Sequence, residues 1–315
     1  MRELTYAPEG TRLGTCENKE YISSIAGLER AMIQGKILEG VALVCDSEMN
    51  LQVDLCGMRA IIPKSEVLYC REGEEQKDIA IITRVGKAVC FKVMSIERRG
   101  ANVRIILSRR AAQIECMQTY LMSLVCGDIV SARVTHLEGF GAFVDIGCGI
   151  ISLLSVDCIS VSRISHPSDR FSTGDSIKVV IKSIDRDTGR IFVSHRELLG
   201  TWEENAAAFE IGQTVAGIVR SVESYGIFVE LAPNLAGLAE LREGVYVGQT
   251  SSVYIKNIIP EKMKIKLVLI DSNRGELIVN PSRYFIDTSK VTHIDRWLYS
   301  PPSSGKVIET VFCAD

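Results

Sequence analysis

The chain has 315 residues, 46% of them hydrophobic, and a formal net charge of −3. This length exceeds what one core organises and the apolar content argues against disorder, so several globular domains are expected. The nearly balanced charge excludes a generally basic coat for nucleic acid and leaves only local patches for such a partner.

Ten cysteines are present and none form a CxxC pair. Several sit in apolar runs such as VALVCD and KAVCFKV, where Cys behaves as a small hydrophobe, and all are expected to be reduced. The opening MRELTYAPEGTRLG has no apolar core of a signal peptide, and no run approaches the ~20 residues that span a bilayer. A cytoplasmic protein is therefore expected. The phosphate-loop, HExxH, GxSxG and GxGxxG patterns are absent, so neither an active site nor a metal or cofactor is expected.

In chain order, residues 1–34 read as an extended arm followed by one amphipathic helix, YISSIAGLERAMIQ. Ile22, Ile25, Leu28 and Met32 would share its buried face, with Gly35 as the stop. Three similar blocks follow, opening GKILEGVALV at Gly35, GDIVSARVTH at Gly127 and GQTVAGIVRS at Gly212. A second strand in each ends on an apolar–acid pair: Val53-Asp54, Val144-Asp145 and Val229-Glu230. With two more β-rich runs toward its end, each block offers about five short strands, and a segment of variable length lies between the third and fourth. Five strands with an insert between the third and fourth is the layout of an OB-fold barrel.

The predicted domains are therefore 35–110, 127–197 and a shortened 212–275. Helical connectors lie at 111–126 and 198–211, where AAQIECMQTYLMSL and TWEENAAAF favour helix. The fold class is mainly β, three tandem five-stranded OB-fold barrels. Trp202 is expected to anchor the second connector on a barrel. The extension 276–315 has apolar runs around Ser-Pro-Pro-Ser-Ser-Gly, expected to pair as strands and cover an edge of the third block.

Block two carries GFGAFVDIG at 139–147, with Phe140 and Phe143 three residues apart. One face of an ideal strand cannot hold both, so a bulge or bend at the intervening glycine is expected. Block three repeats the pair as Tyr225 and Phe228, whereas block one has Met49 and Gln52 there. Exposed rings of this kind stack on bases of any sequence. His136 is either a loop histidine or a neighbour of the platform. His195 is expected at the surface, and Arg98-Arg99 and Arg109-Arg110 either touch phosphate or are solvated.

GDIVSARV, GFGAFVDIG and HPSDRFSTGDSIKVVIKSIDRDTGRIFVSHR together resemble the S1 RNA-binding domain, the OB-fold unit repeated in ribosomal protein S1. Over about 35–272 the blocks and connectors are similar to that family. The resemblance implies a non-enzymatic binder of single-stranded RNA, in particular mRNA, with the 30S ribosomal subunit as a partner, no membrane, and a monomeric state. It implies RNA contacts at Phe140, Phe143, His136 and Arg190 in block two, and at Tyr225, Phe228, Lys264 and Lys266 in block three. The third-strand histidine of many members is missing, Glu240 standing in that region of block three. The rival expectation is a protein-interaction scaffold built on OB-folds.

Overall fold

A computed structural model describes residues 5–70, 76–99, 102–273 and 283–312. It contains three closed five-stranded barrels in tandem. Barrel one is built from β1 (Leu38–Cys45), β2 (Leu51–Leu55), β3 (Met58–Ile62), β4 (Ala88–Arg99) and β5 (Asn102–Ser108). Barrel two uses β6 (Ile129–Glu138), β7 (Gly141–Asp145), β8 (Ile151–Ser155), β9 (Ser176–Asp185) and β10 (Arg190–Ser194). Barrel three uses β11 (Thr214–Glu223), β12 (Gly226–Ala232), β13 (Leu235–Ala239), β14 (Thr250–Ile259) and β15 (Lys264–Asn273).

In each barrel the third strand pairs in parallel with the fifth and the first strand pairs with the fourth, which closes the sheet in OB-fold order. Closure leaves no barrel strand as an open edge. Inward side chains alternate along the strands, as with Leu51, Val53 and Leu55 on β2, and fill a separate apolar core in each barrel.

The N-terminal region differs from the expectation of a single helix. Helices α1 (Cys16–Ile22) and α2 (Ile25–Gln34) are separated at Ser23-Ser24. Ser24 is extended and its hydroxyl accepts from the Gly27 amide, so it starts a new helix instead of continuing the old one. Leu28 and Ala31 take the buried face of α2, while Met32 is exposed; Gly35 ends α2 in the left-handed conformation. The arm before α1 is a wedge between barrels one and two. The Tyr6 ring stacks on Tyr120 at 5.6 Å, and the Ala7 carbonyl accepts from the Cys148 amide.

A short helix, α3 (Asp78–Ile82), fills the insert of barrel one. The first connector is α4 (Arg109–Thr119) followed by a 3-10 turn at Leu121–Ser123; the second is α5 (Trp202–Ala206), opened by a capping box between Thr201 and Glu204. Trp202 is 2% exposed and packs into the core of barrel three. The described cysteines are all free thiols.

The C-terminal segment forms the strand pair β16 (Arg296–Leu298) and β17 (Glu309–Val311). Its position is broader than an edge of block three. The Ile129 amide donates to Thr292 and the Ile294 amide to Gly127, so the segment runs beside the start of β6 in barrel two. Phe312 joins Cys126, Ile129, Val180 and Leu198 in a buried cluster, while Trp297 and Tyr299 enter the core of barrel three. The apolar run at 277–279 lies outside the described residues. No helix among the described residues is long and apolar enough to cross a membrane.

Candidate nucleic-acid interface

On barrel two the chain brings its two phenylalanines together by a turn. Phe140 lies in the turn between β6 and β7, and Phe143 lies within β7. The expected bulge is on the partner strand: register shifts between Val134 and His136 on β6, and the bulged Thr135 donates its hydroxyl to the Phe143 carbonyl. Gly141 is required at the turn exit, because a Cβ there would lie 2.5 Å from the Leu154 carbonyl oxygen on β8. The two rings meet edge to face, with centroids 5.9 Å apart and planes at 89°. Such pairs are favourable and hold both rings in a defined orientation. Phe140 is 58% exposed and Phe143 half-buried.

The bulge places His136 directly across from Phe143. His136 is therefore a strand residue, not a loop histidine, and its ring stacks on Phe143 at 6.3 Å and 24°. Its Nε2 lies 2.7 Å from Glu138. Pairing then carries an outward row from His136 through Phe143 and Leu153 on β8 to Phe192 on β10. Arg190 is exposed at the start of β10, on the same face two residues earlier.

Barrel three repeats this geometry. Tyr225 is 68% exposed and meets Phe228 edge to face at 6.0 Å and 87°. The equivalent row runs Ser221, Phe228, Leu238 and Lys266. Lys264 opens β15 as Arg190 opens β10, so Lys264 is the register equivalent of Arg190 and Lys266 that of Phe192. Both lysines are exposed, as is Glu240 just after β13. In barrel one the row is Val44, Gln52, Ile61 and Ile106, without an aromatic ring. Met49 packs against the barrel-one core.

Two other expectations are overturned. His195 is fully buried, wedged edge-on between Phe171 and Tyr284, with Nδ1 3.1 Å from the Ile159 carbonyl. Burial pulls it down to about 4, and so it stays neutral at physiological pH. It follows β10, where the chain turns inward under the C-terminal segment. Arg109 is 1% exposed and neither solvated nor free for phosphate, because Glu9 from the N-terminal arm binds it at 2.6 and 3.0 Å.

Sequence reasoning also missed what joins the barrels, although its signal was visible in the recurring apolar–acid pair. Asp145 is 2% exposed in the joint between barrels one and two and accepts the Glu9 amide at 2.7 Å. Burial, then the Glu9 charge, raises its pKa, whereas at Glu9 burial is opposed by Arg109, Arg84 and the Cys90 amide, which together hold that carboxyl low. Glu230 is 5% exposed in the next joint, where Arg170 of barrel two reaches it at 2.6 Å and Arg220 at 2.8 Å. Asn234, fully buried, accepts from the Val161 amide and donates to the carbonyls of Arg196 and Gly200. Asp54, the acid of the pair in barrel one, caps its own turn by accepting from the Gly57 amide. Among the described residues no group of His, Cys, Asp and Glu is arranged to hold a metal ion.

Comparison with known proteins agrees with this architecture. Residues 126–196 match the family described as S1 RNA binding domain. Small ribosomal subunit protein bS1 homolog of Bacillus subtilis is 33% identical over 237 residues, covering 72% of this chain and 57% of that protein. Small ribosomal subunit protein bS1 of Leuconostoc lactis is 32% identical over 235 residues, covering 72% of this chain and 51% of that protein. The chain thus spans about half the length of these curated relatives. A solved multidomain protein with nucleic acid binding domains from Streptococcus pneumoniae aligns at 16% identity over 75% of this chain and 73% of its own, with a TM-score of 0.25.

Proposed function

This chain is an S1-like protein of tandem OB-fold barrels, similar to ribosomal protein S1, and from that premise we propose that it holds single-stranded RNA, in particular mRNA, across barrels two and three as a ribosome-associated factor. The observation that carries this reading is the pair of solvent-facing rings, Phe140 and Tyr225, each set edge-on against a second ring in the adjacent strand. A base stacked on such a ring is bound without regard to its identity, at about 1–3 kcal/mol. Arg190 on barrel two and Lys264 with Lys266 on barrel three supply cations for the phosphates between stacked bases. His136 adds a third flat group beside Phe143. Two modest sites on one chain raise the overall affinity through effective concentration.

Barrel one carries a different reading. Its outer row of Val44, Gln52, Ile61 and Ile106 offers no ring for a base, which favours protein docking, with the small ribosomal subunit as the partner that the relatives' names suggest.

The test is binding of the full chain to a labelled, unstructured RNA at two salt concentrations. Affinity should fall steeply with salt, and Phe140→Ala with Tyr225→Ala should weaken it further at constant salt. No binding at low salt refutes RNA as the ligand and leaves the protein-scaffold reading.

A further inference from the structure

The pairing register exposes a difference between the two platforms that their sequences, read alone, conceal. Phe192 and Lys266 occupy the same place: each is the outward residue of the fifth strand, paired with a half-buried leucine of the third strand, which is paired in turn with the platform phenylalanine. Phe192 is 39% exposed between Ile191 and Val193, which are buried; Lys266 is exposed between the buried Ile265 and Leu267. An aromatic ring at this site on barrel two thus stands where barrel three has an ammonium group.

Resting on the RNA reading above, we propose that Phe192 is a further stacking site on barrel two, taking a base beyond the Phe140–Phe143 pair, and that Lys266 takes a phosphate at the equivalent point of barrel three. Two strand spacings separate Phe192 from Phe143, about 10 Å. That separation gives Phe192 a base of its own, with the Leu153 side chain as the apolar floor between them. The outward neighbour along β10 is Arg190, so a base on Phe192 has a cation beside its backbone. Barrel three presents Lys264 and Lys266 on the same two positions, two cations where barrel two has one cation and a ring. The proposal gives barrel two one more base contact and makes it the less salt-sensitive of the two sites, while barrel three gains a backbone contact at the equivalent point beside its Tyr225–Phe228 pair.

The experiment measures affinity of the full chain for a labelled unstructured RNA over a series of salt concentrations. Phe192→Leu keeps the apolar volume and removes the π-face. It should weaken binding about fivefold or more at constant salt, with an unchanged salt slope. Phe192→Trp should restore the native affinity. Lys266→Ala should lower the salt slope by about 0.7, the contribution of one phosphate on a single strand, and Phe192→Lys should raise it by the same amount. Circular dichroism of each variant checks that it is folded, and the tryptophan replacement keeps the test valid if the leucine variant is not. Native affinity in Phe192→Leu while Phe140→Ala binds weakly overturns this proposal alone. Failure of the unaltered chain to bind RNA at low salt overturns the RNA reading and this one with it.

Discussion

Glu230→Ala probes the joint between barrels two and three. The carboxylate is 5% exposed and accepts from Arg170 at 2.6 Å and Arg220 at 2.8 Å. Arg220 retains Asp169 at 3.1 Å after the substitution. Arg170 does not fare as well: its side chain is fully buried, its Nε has no partner, and what remains is a 3.3 Å contact to its neighbour's carbonyl and a 3.4 Å contact to the Ser160 hydroxyl. An uncompensated buried guanidinium should cost about 3–5 kcal/mol. Glu230→Gln keeps the shape and one acceptor and should cost less, about 1–3 kcal/mol. Replacing both partners, Arg170→Met with Glu230→Leu, removes the charge together with its counterion and should recover most of the loss. Both tryptophans, Trp202 and Trp297, pack in the barrel-three core, so urea unfolding followed by their fluorescence reports on this side of the joint. A Glu230→Ala chain within about 0.5 kcal/mol of the native one, the range of an ordinary surface substitution, would refute the argument. So would a double variant as unstable as the single one.

Three further outcomes are expected. Burial pushes the Glu39 carboxyl up to about 7; the stability it contributes is present below about pH 4.5 and is lost as pH rises through 7. Glu39→Gln should remove that decline and gain about 1–3 kcal/mol at pH 8 relative to the native chain, read from urea midpoints at pH 5 and pH 8; parallel profiles would contradict it. His195, held neutral with its pKa near 4, acts in the opposite direction: the unfolded chain takes up the proton first, so stability is lost as pH falls from about 6.5 to 4. His195→Gln should flatten that acid limb in acid-unfolding curves, whatever it does to stability at neutral pH. Gly141→Ala forces a Cβ against the Leu154 carbonyl and should cost about 1–3 kcal/mol. It should also weaken RNA binding by shifting the turn that sets Phe140 against Phe143, which chemical shifts of the two rings would reveal.

What the sequence determined by itself is the repeated unit and the identity of its aromatic pairs. Recurring Gly-led strands and period-2 burial are local signals, and a barrel of five short strands is what they allow. Phe140 with Phe143 and Tyr225 with Phe228 were legible because each pair lies within five residues of a turn glycine. Tertiary structure decided everything that depends on which strands lie side by side. Phe192 reaches the platform only through pairing of β10 with β8, and His136 only through a one-residue bulge in β6. Arg109 and His195 looked like surface groups because their partners, Glu9 and Phe171 with Tyr284, come from distant parts of the chain. Asp145 and Glu230 show the same limit. Their recurrence was visible, but a carboxylate at or near the end of a strand becomes a joint only when another segment buries it, and that burial is a property of the assembled barrels.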